Sequence, residues 1–230
     1  CTHDPASGLQ FNQFLVRDEE PLLYHAGQNA LFTDILGAVE SLLEPRLLRW
    51  IGFSHFEADE CGSLNRWLAH APNATPVCGL VAARTSIADF ADRAPRVLDD
   101  DAIFSTGRHR FRFLATPHVP HIWEASLLFD ETERVLFCSD LLLQRGNPPA
   151  LADDVLESAL EDLQRSQRGP FRNASPCTPD TRRTLQRLAS LEPATLAIMH
   201  GASWEGDGGS LLREYDHELH RILRASGSAA

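Results

Sequence analysis

"SHFEADECGSLN", residues 54–65, follows the apolar run "LLRWIGF" (47–53) and sets His55, Glu57, Asp59 and Glu60 almost side by side. An apolar strand that ends in metal-capable side chains is how a rigid sheet displays reactive groups, because the strand end fixes the loop that carries them. The same grammar recurs three times. "VLFCSD" ends at Asp140, "LAIMHG" runs straight into His200, and "RFRFLAT" is followed by "PHVPH", with His118 and His121. Each signal has an ordinary reading on its own: His-Gly after a strand as a turn, Asp as a cap or turn residue, the acidic run at 55–60 as a solvated loop. Four such signals in one chain, the first this dense, predict that these segments meet around metal at one sheet edge.

Periodicity predicts strands at 9–16 and 21–27 joined by the acidic turn "RDEE", then a helix over 31–43 with Leu31, Ile35, Val39 and Leu42 on one face. A buried strand at 47–53 delivers the opening motif. A short helix around "SLNRWLAHA", a strand "PVCGLV", a helix near 84–92 and extended stretches at 110–116, 125–130 and 134–140 follow. Amphipathic stretches at about 151–165 and 178–190 precede the strand "ATLAIM" (194–199) and a last helix from about 209. This order suits an α/β (α+β) fold of two sheets covered by helices on their outer faces. No repeat or linker interrupts it, so 1–230 is read as one domain, with 225–230 ("ASGSAA") a disordered tail.

Composition narrows the function. With 230 residues and 43% hydrophobic content the chain can bury a substantial core. A net charge of −11, from 32 acidic and 21 basic residues, lacks the basic stripe that nucleic-acid binding needs. No apolar run approaches the roughly 18 residues of a membrane span, and "CTHDPASG" has no signal-peptide pattern, so a cytoplasmic protein is expected. Five scattered cysteines without a C-x-x-C argue against a disulfide framework or a thiolate zinc site; Cys61, Cys78 and Cys138 read as buried small side chains.

The residues resemble the metallo-β-lactamase fold as used by the flavodiiron proteins and their stand-alone oxygen-binding diiron relatives. The resemblance runs from "GLQFNQFLV" to "MHGASW". "HFEADECGSL" is similar to the family's H-x-E-x-D-H and small-residue turn, except that Glu60 stands where the family has a final His. His121 precedes Asp140 at a separation the family uses, "VLFCSD" resembles its run ending in a bridging aspartate, and "MHGASW" resembles its His-Gly-x-x-Trp. The resemblance implies an αββα sandwich of two mixed sheets packed face to face with helices outside. It implies one iron on His55, Glu57 and His121, another on Asp59 and His200, and Asp140 bridging. Glu60 either ligates the second iron or hangs back beside a water. His118 is expected in the pocket wall or behind the ligands. His25 stands where relatives often carry an aspartate near the metal floor, and a capped turn histidine is its equal alternative. Phe11 occupies a position where the family often has a pocket tyrosine. Trp123 and Trp204 border the ligand segments, more as packing than as redox relays.

The donor set points to iron independently. Zinc hydrolases of this fold carry an imidazole where Glu57 stands. Four carboxylates would neutralise two divalent ions and leave little drive to ionise a bound water for hydrolysis. Hard oxygen donors favour higher oxidation states, and His55, His121 and Glu57 form the two-histidine, one-carboxylate pattern of oxygen-activating iron. The expected cofactor is two Fe ions, oxo- or peroxo-bridged, with zinc or manganese as substitutes. No Gly-rich phosphate loop for FMN appears on this chain, so electrons would come from a separate reductase. The expected function is dioxygen binding as a diferric peroxide, with slow reduction, in sensing, storage or scavenging. A dinuclear hydrolase of phosphodiesters or thioesters is the alternative, and a sensory module acting through a signalling partner a third reading. A homodimer is left open.

Overall fold

The computed structural model describes residues 1–4, 6–225 and 227. β1 (Thr2–Asp4) pairs antiparallel with β2 (Leu9–Phe11) as a small ribbon. β3 (Phe14–Val16), β4 (Leu22–Tyr24), β5 (Trp50–Gly52), β6 (Thr75–Gly79) and β7 (Arg96–Leu98) lie in that order in a five-stranded mixed sheet. β8 (Ile103–Ser105), β9 (Arg110–Ala115), β10 (Ser126–Asp130), β11 (Val135–Ser139), β12 (Thr195–Ile198) and β13 (Trp204–Glu205) form a six-stranded sheet in the order β13, β12, β11, β10, β9, β8. The helices are α1 (Phe32–Glu40), α2 (Ala58–Cys61), α3 (Leu64–His70), α4 (Leu80–Ala82), α5 (Ala88–Phe90), α6 (Leu156–Ser166), α7 (Thr181–Ser190) and α8 (Gly208–Ala225), with a π turn at Ala83–Ile87. None is long and apolar enough to cross a membrane.

The layers follow from the two-residue period of the strands. Leu22, Tyr24, Trp50 and Val77 of one sheet meet Phe111, Phe113, Leu128 and Phe137 of the other, filling the space between them. The alternate residues face outward. Leu23, Ile51 and Cys78 pack against Phe32 and Ile35 of α1 and Trp67 of α3. Leu114, Leu127, Leu136 and Leu196 pack against Leu163 of α6, Leu188 of α7 and Leu212 of α8. Both faces of both sheets are therefore apolar, which is why the strands read as hydrophobic runs rather than clean alternations. Each large side chain so buried contributes about 1.5–3 kcal/mol. The result is the αββα sandwich.

Several local expectations change. The strand expected over 9–16 is two strands, broken at Asn12 and Gln13, because Asn12 serves the other sheet: its N–H donates to the Met199 carbonyl and its Nδ2 to the carbonyls of Ile198 and Gly201. β3 still pairs antiparallel with β4. α1 stops at Glu40, so Leu42, expected on its apolar face, is 57% exposed. The first part of the 47–53 strand includes the end of a 3-10 turn at Pro45–Leu47. β1, β7, β8 and β13 are too short to leave a periodic signature. Of the tail expected to be disordered, Ala225 ends α8 and Gly227 lies in a turn; residues 226 and 228–230 lie outside the described residues.

Candidate metal centre

Strand directions bring the four segments to one edge. β9 and β11 each run antiparallel to β10, while β12 runs parallel to β11, so the ends of β9, β11 and β12 meet the start of β10. The segment after β5 joins them across the sandwich, because the Ser54 carbonyl accepts from the N–H and the hydroxyl of Ser126, the first residue of β10. His55, Asp140, His200 and the His121 loop then follow within a few residues of that edge.

The seven predicted ligands come together. His121 Nε2 lies 2.5 Å from Asp140 Oδ2, and His200 Nε2 lies 3.0 Å from Asp140 Oδ1, so each oxygen of Asp140 faces a different histidine. His55 Nε2 is 3.5 Å from Asp140 Oδ2, 3.6 Å from Glu60 Oε1 and 4.0 Å from Glu57 Oε2. His200 Nε2 is also 3.3 Å from Asp59 Oδ2, and His121 Nδ1 is 3.9 Å from Glu57 Oε1. Three overlapping sets have ligand atoms all within 4.8 Å of one another: His55, His121 and Asp140; His55, Glu57 and Glu60; Asp59, Glu60 and His200. A cluster of this composition suits a dinuclear metal site.

Groups on neighbouring segments hold the candidate ligands in place; of these the sequence marks only Glu124, as bordering the ligand segments. His200 Nδ1 is 2.9 Å from the Gln10 carbonyl, and Gln144 N–H donates to the His200 carbonyl. Gly201 adopts φ +112°, and a Cβ there would fall 2.7 Å from Gln144 Cβ, so this turn requires glycine. His55 Nδ1 lies 3.0 Å from Ser54 Oγ, which is 2.7 Å from Ser139 Oγ. A serine directly before a ligand, buried at the end of an apolar run, was the available signal. Glu124 accepts the Phe56 N–H at 2.7 Å and so pins the motif loop from behind.

The remaining candidates scatter. His25 is fully buried and reaches Ser54 Oγ at 3.2 Å, so one hydroxyl separates it from His55. Phe11 is buried with its ring edge-on to His200 at 5.1 Å. Trp204 packs against the helix-side core and donates to the Asp153 carbonyl. Trp123 is 56% exposed and lines a separate cleft with Leu80 and Phe113. His118, at φ +64°, lines a third cavity with Arg183 and Arg187 and not the one at the ligands. The ligand cavity, about 190 Å³, has Glu57, Asp59, His121, Asp140 and His200 at its floor and Leu143, Leu163 and Phe171 in its walls.

Burial and mutual contacts shift the cluster's groups in opposite directions when no ion is bound. Burial and then the carboxylates of Asp140 and Asp59 raise Glu60 well above the usual range. Burial works against a charge on His200, but hydrogen bonds to Asp140 and Asp59 outweigh it and push it up to about 10. Burial also opposes the charge on Asp140, and His121 and His200 hold it well below the usual value nonetheless. His55, by contrast, is pushed down to about 4 by burial. His200 therefore favours its protonated form through the neutral range, and a metal ion taking Nε2 would have to displace that proton. Metal affinity is expected to rise with pH by about tenfold per unit for each proton displaced, and to fall on acidification. Titration of the ion-free protein with manganese(II) between about pH 6 and about pH 8 measures the slope, and a flat profile would contradict this proton accounting.

Comparison with known proteins agrees with this architecture. The chain is 22% identical over 204 residues to a rubredoxin-oxygen oxidoreductase of Megalodesulfovibrio gigas, covering 86% of this chain and 50% of the relative. It is 22% identical over 212 residues to an uncharacterized protein of Methanocaldococcus jannaschii, covering 91% of this chain and 53% of the relative. The chain thus spans about half the length of these curated relatives. In fold it is similar to the crystal structure of the flavodiiron protein from Giardia intestinalis, with a TM-score of 0.78 at 19% identity over 92% of this chain and 52% of that one. The family model described as ODP family beta lactamase matches residues 9–201, from the start of β2 to the glycine after His200, and the chain belongs to that family.

Proposed function

We propose that the chain holds two iron ions in this cluster and binds and reduces dioxygen with electrons from an external donor. The observation that carries the reading is a set of buried atoms with nothing to bond. His55 Nε2 and both oxygens of Glu60 are buried with no hydrogen-bond partner outside the cluster to which they belong. Orphaned polar atoms cost roughly 1–3 kcal/mol each, more if charged, so a fold that gathers them needs a cation to offset the cost. Three imidazoles and four carboxylates make a donor set suited to iron.

His55, Glu57 and His121 would hold one ion, Asp59 and His200 the other, and Asp140 both. An iron pair supplies two reducing equivalents to dioxygen, chemistry that no side chain in the cavity offers. The protein's own contribution is orientation and exclusion. With Nε2 given to a metal, His55 Nδ1–H donates to Ser54 and His200 Nδ1–H to the Gln10 carbonyl, which fixes both rings. Phe11 covers the His200 ring with hydrocarbon and offers no hydroxyl to a bound oxygen molecule. Dioxygen as substrate and a separate electron carrier are in keeping with the name of the Megalodesulfovibrio relative, a rubredoxin-oxygen oxidoreductase. The five free cysteines suit a reducing compartment, and the cytoplasm is part of this reading.

The test is anaerobic reduction of the iron-loaded protein followed by limiting dioxygen. About one dioxygen consumed per iron pair, with a visible ligand-to-iron absorption band, is expected. Glu57→His should raise hydrolysis of a chromogenic phosphodiester. Rapid cleavage of that diester by the wild-type zinc or manganese form, with no dioxygen consumed by the iron form, would overturn the reading.

A further inference from the structure

We propose that Glu60 is a second bridging carboxylate, ligating both ions from the five-stranded-sheet side of the cluster while Asp140 bridges them from the six-stranded side. This rests on the dinuclear reading above and departs from the imidazole that the family motif places at this position. An imidazole offers one nitrogen to the cavity and can serve one ion; a carboxylate has two oxygens and can serve two.

Three observations carry the inference. Glu60 is 0% exposed, and its oxygens have no hydrogen-bond partner outside the cluster: His55 Nε2 stands 3.6 Å from Oε1, and the Asp59 side chain lies beside them. It belongs both to the set with His55 and Glu57 and to the set with Asp59 and His200, that is, to the donors of both ions. Its position is also fixed by the backbone. Asp59 and Glu60 are consecutive on the single turn of α2, about 100° apart around its axis; Asp59 lines the cavity while Glu60 is buried behind it. The Glu60 carbonyl accepts the Ala26 N–H at 2.7 Å, which ties this turn to the segment that follows β4. Burial beside Asp59 and Asp140 opposes a negative charge on Glu60, and two cations would offset that repulsion when it ligates them.

Manganese(II) and iron(II) binding to the ion-free full chain tests this, with each binding step resolved by calorimetry and the final count by metal analysis. Wild type should bind two ions. Glu60→Ala should weaken both steps by at least about tenfold, the scale on which ligand surroundings tune affinity. Glu60→His, which restores a donor for one ion, should recover one step and leave the other weak. Glu60→Gln keeps the shape and removes the charge. Its ion-free form should melt close to the wild-type temperature, because an amide of the same shape fills the buried position; this also shows that the fold survives. Weakening of only one step in Glu60→Ala, fully restored by Glu60→His, would make Glu60 a ligand to a single ion and overturn the bridge. Unchanged affinity at both steps would remove it from the metal altogether. Fewer than two ions in wild type would instead overturn the dinuclear reading on which the bridge rests.

Discussion

Asp140→Ala is expected to empty both metal positions, lowering bound metal from about two ions per chain to near zero, a loss in affinity above about 100-fold for each ion. The size of the effect follows from where the carboxylate stands. Oδ1 faces His200 and Oδ2 faces His121 and His55, so in the proposed centre one truncation would remove an anionic donor from each ion. The comparison variant is Asp59→Ala. Its carboxylate lies beside His200, in the set that omits His55 and His121, so one ion should remain. Metal analysis after loading, with far-ultraviolet circular dichroism to confirm the fold, reads both. Two ions retained without Asp140 would refute its bridging assignment.

The largest expected effect on stability lies behind the site rather than in it. Trp67 is completely buried on α3 against the outer face of the five-stranded sheet, with its ring 5.0 Å from that of Phe32. Its Nε1–H donates to the Ala26 carbonyl at 2.8 Å, and the Ala26 N–H in turn donates to the Glu60 carbonyl. Trp67→Ala should cost about 4 kcal/mol and lower the melting temperature by about 10 °C, since removing a buried aromatic leaves a cavity that the surrounding side chains fill only in part. Leu42→Ala, at an exposed position, should change stability by less than about 0.5 kcal/mol. A melting temperature within about 2 °C of wild type for Trp67→Ala would show that the helical layer relaxes around the loss. Because the same tryptophan steadies the segment after β4 whose Ala26 N–H meets the Glu60 carbonyl, weaker metal binding should accompany the lower melting temperature.

Much of the sandwich was legible because strands buried on both faces write themselves as apolar runs, and the segments at 110–116, 125–130 and 134–140 correspond to β9, β10 and β11. The edge strands β7, β8 and β13 were not, since they have two or three residues and, unlike β3, β4 and β5, lie in no extended apolar run. Nor was the break at Asn12, whose three hydrogen bonds reach the turn around His200, nearly the whole chain away. Between His118 and His121 the sequence offered only spacing. The loop geometry separates them: positive φ at His118 and Ile122 sends His118 to one cavity and His121 to another.

By itself the sequence determined the kinds of donor and the strand ends that present them, because side-chain chemistry and hydrophobic period are local properties of the chain. Only the tertiary structure decided that those donors share one cavity, that His25 stands behind a serine, that Trp123 faces solvent, and that Glu60 sits between two ligand sets. Those outcomes depend on strand pairing and on backbone contacts between distant segments, such as the His200 ring meeting the Gln10 carbonyl, and no short window of sequence contains both partners.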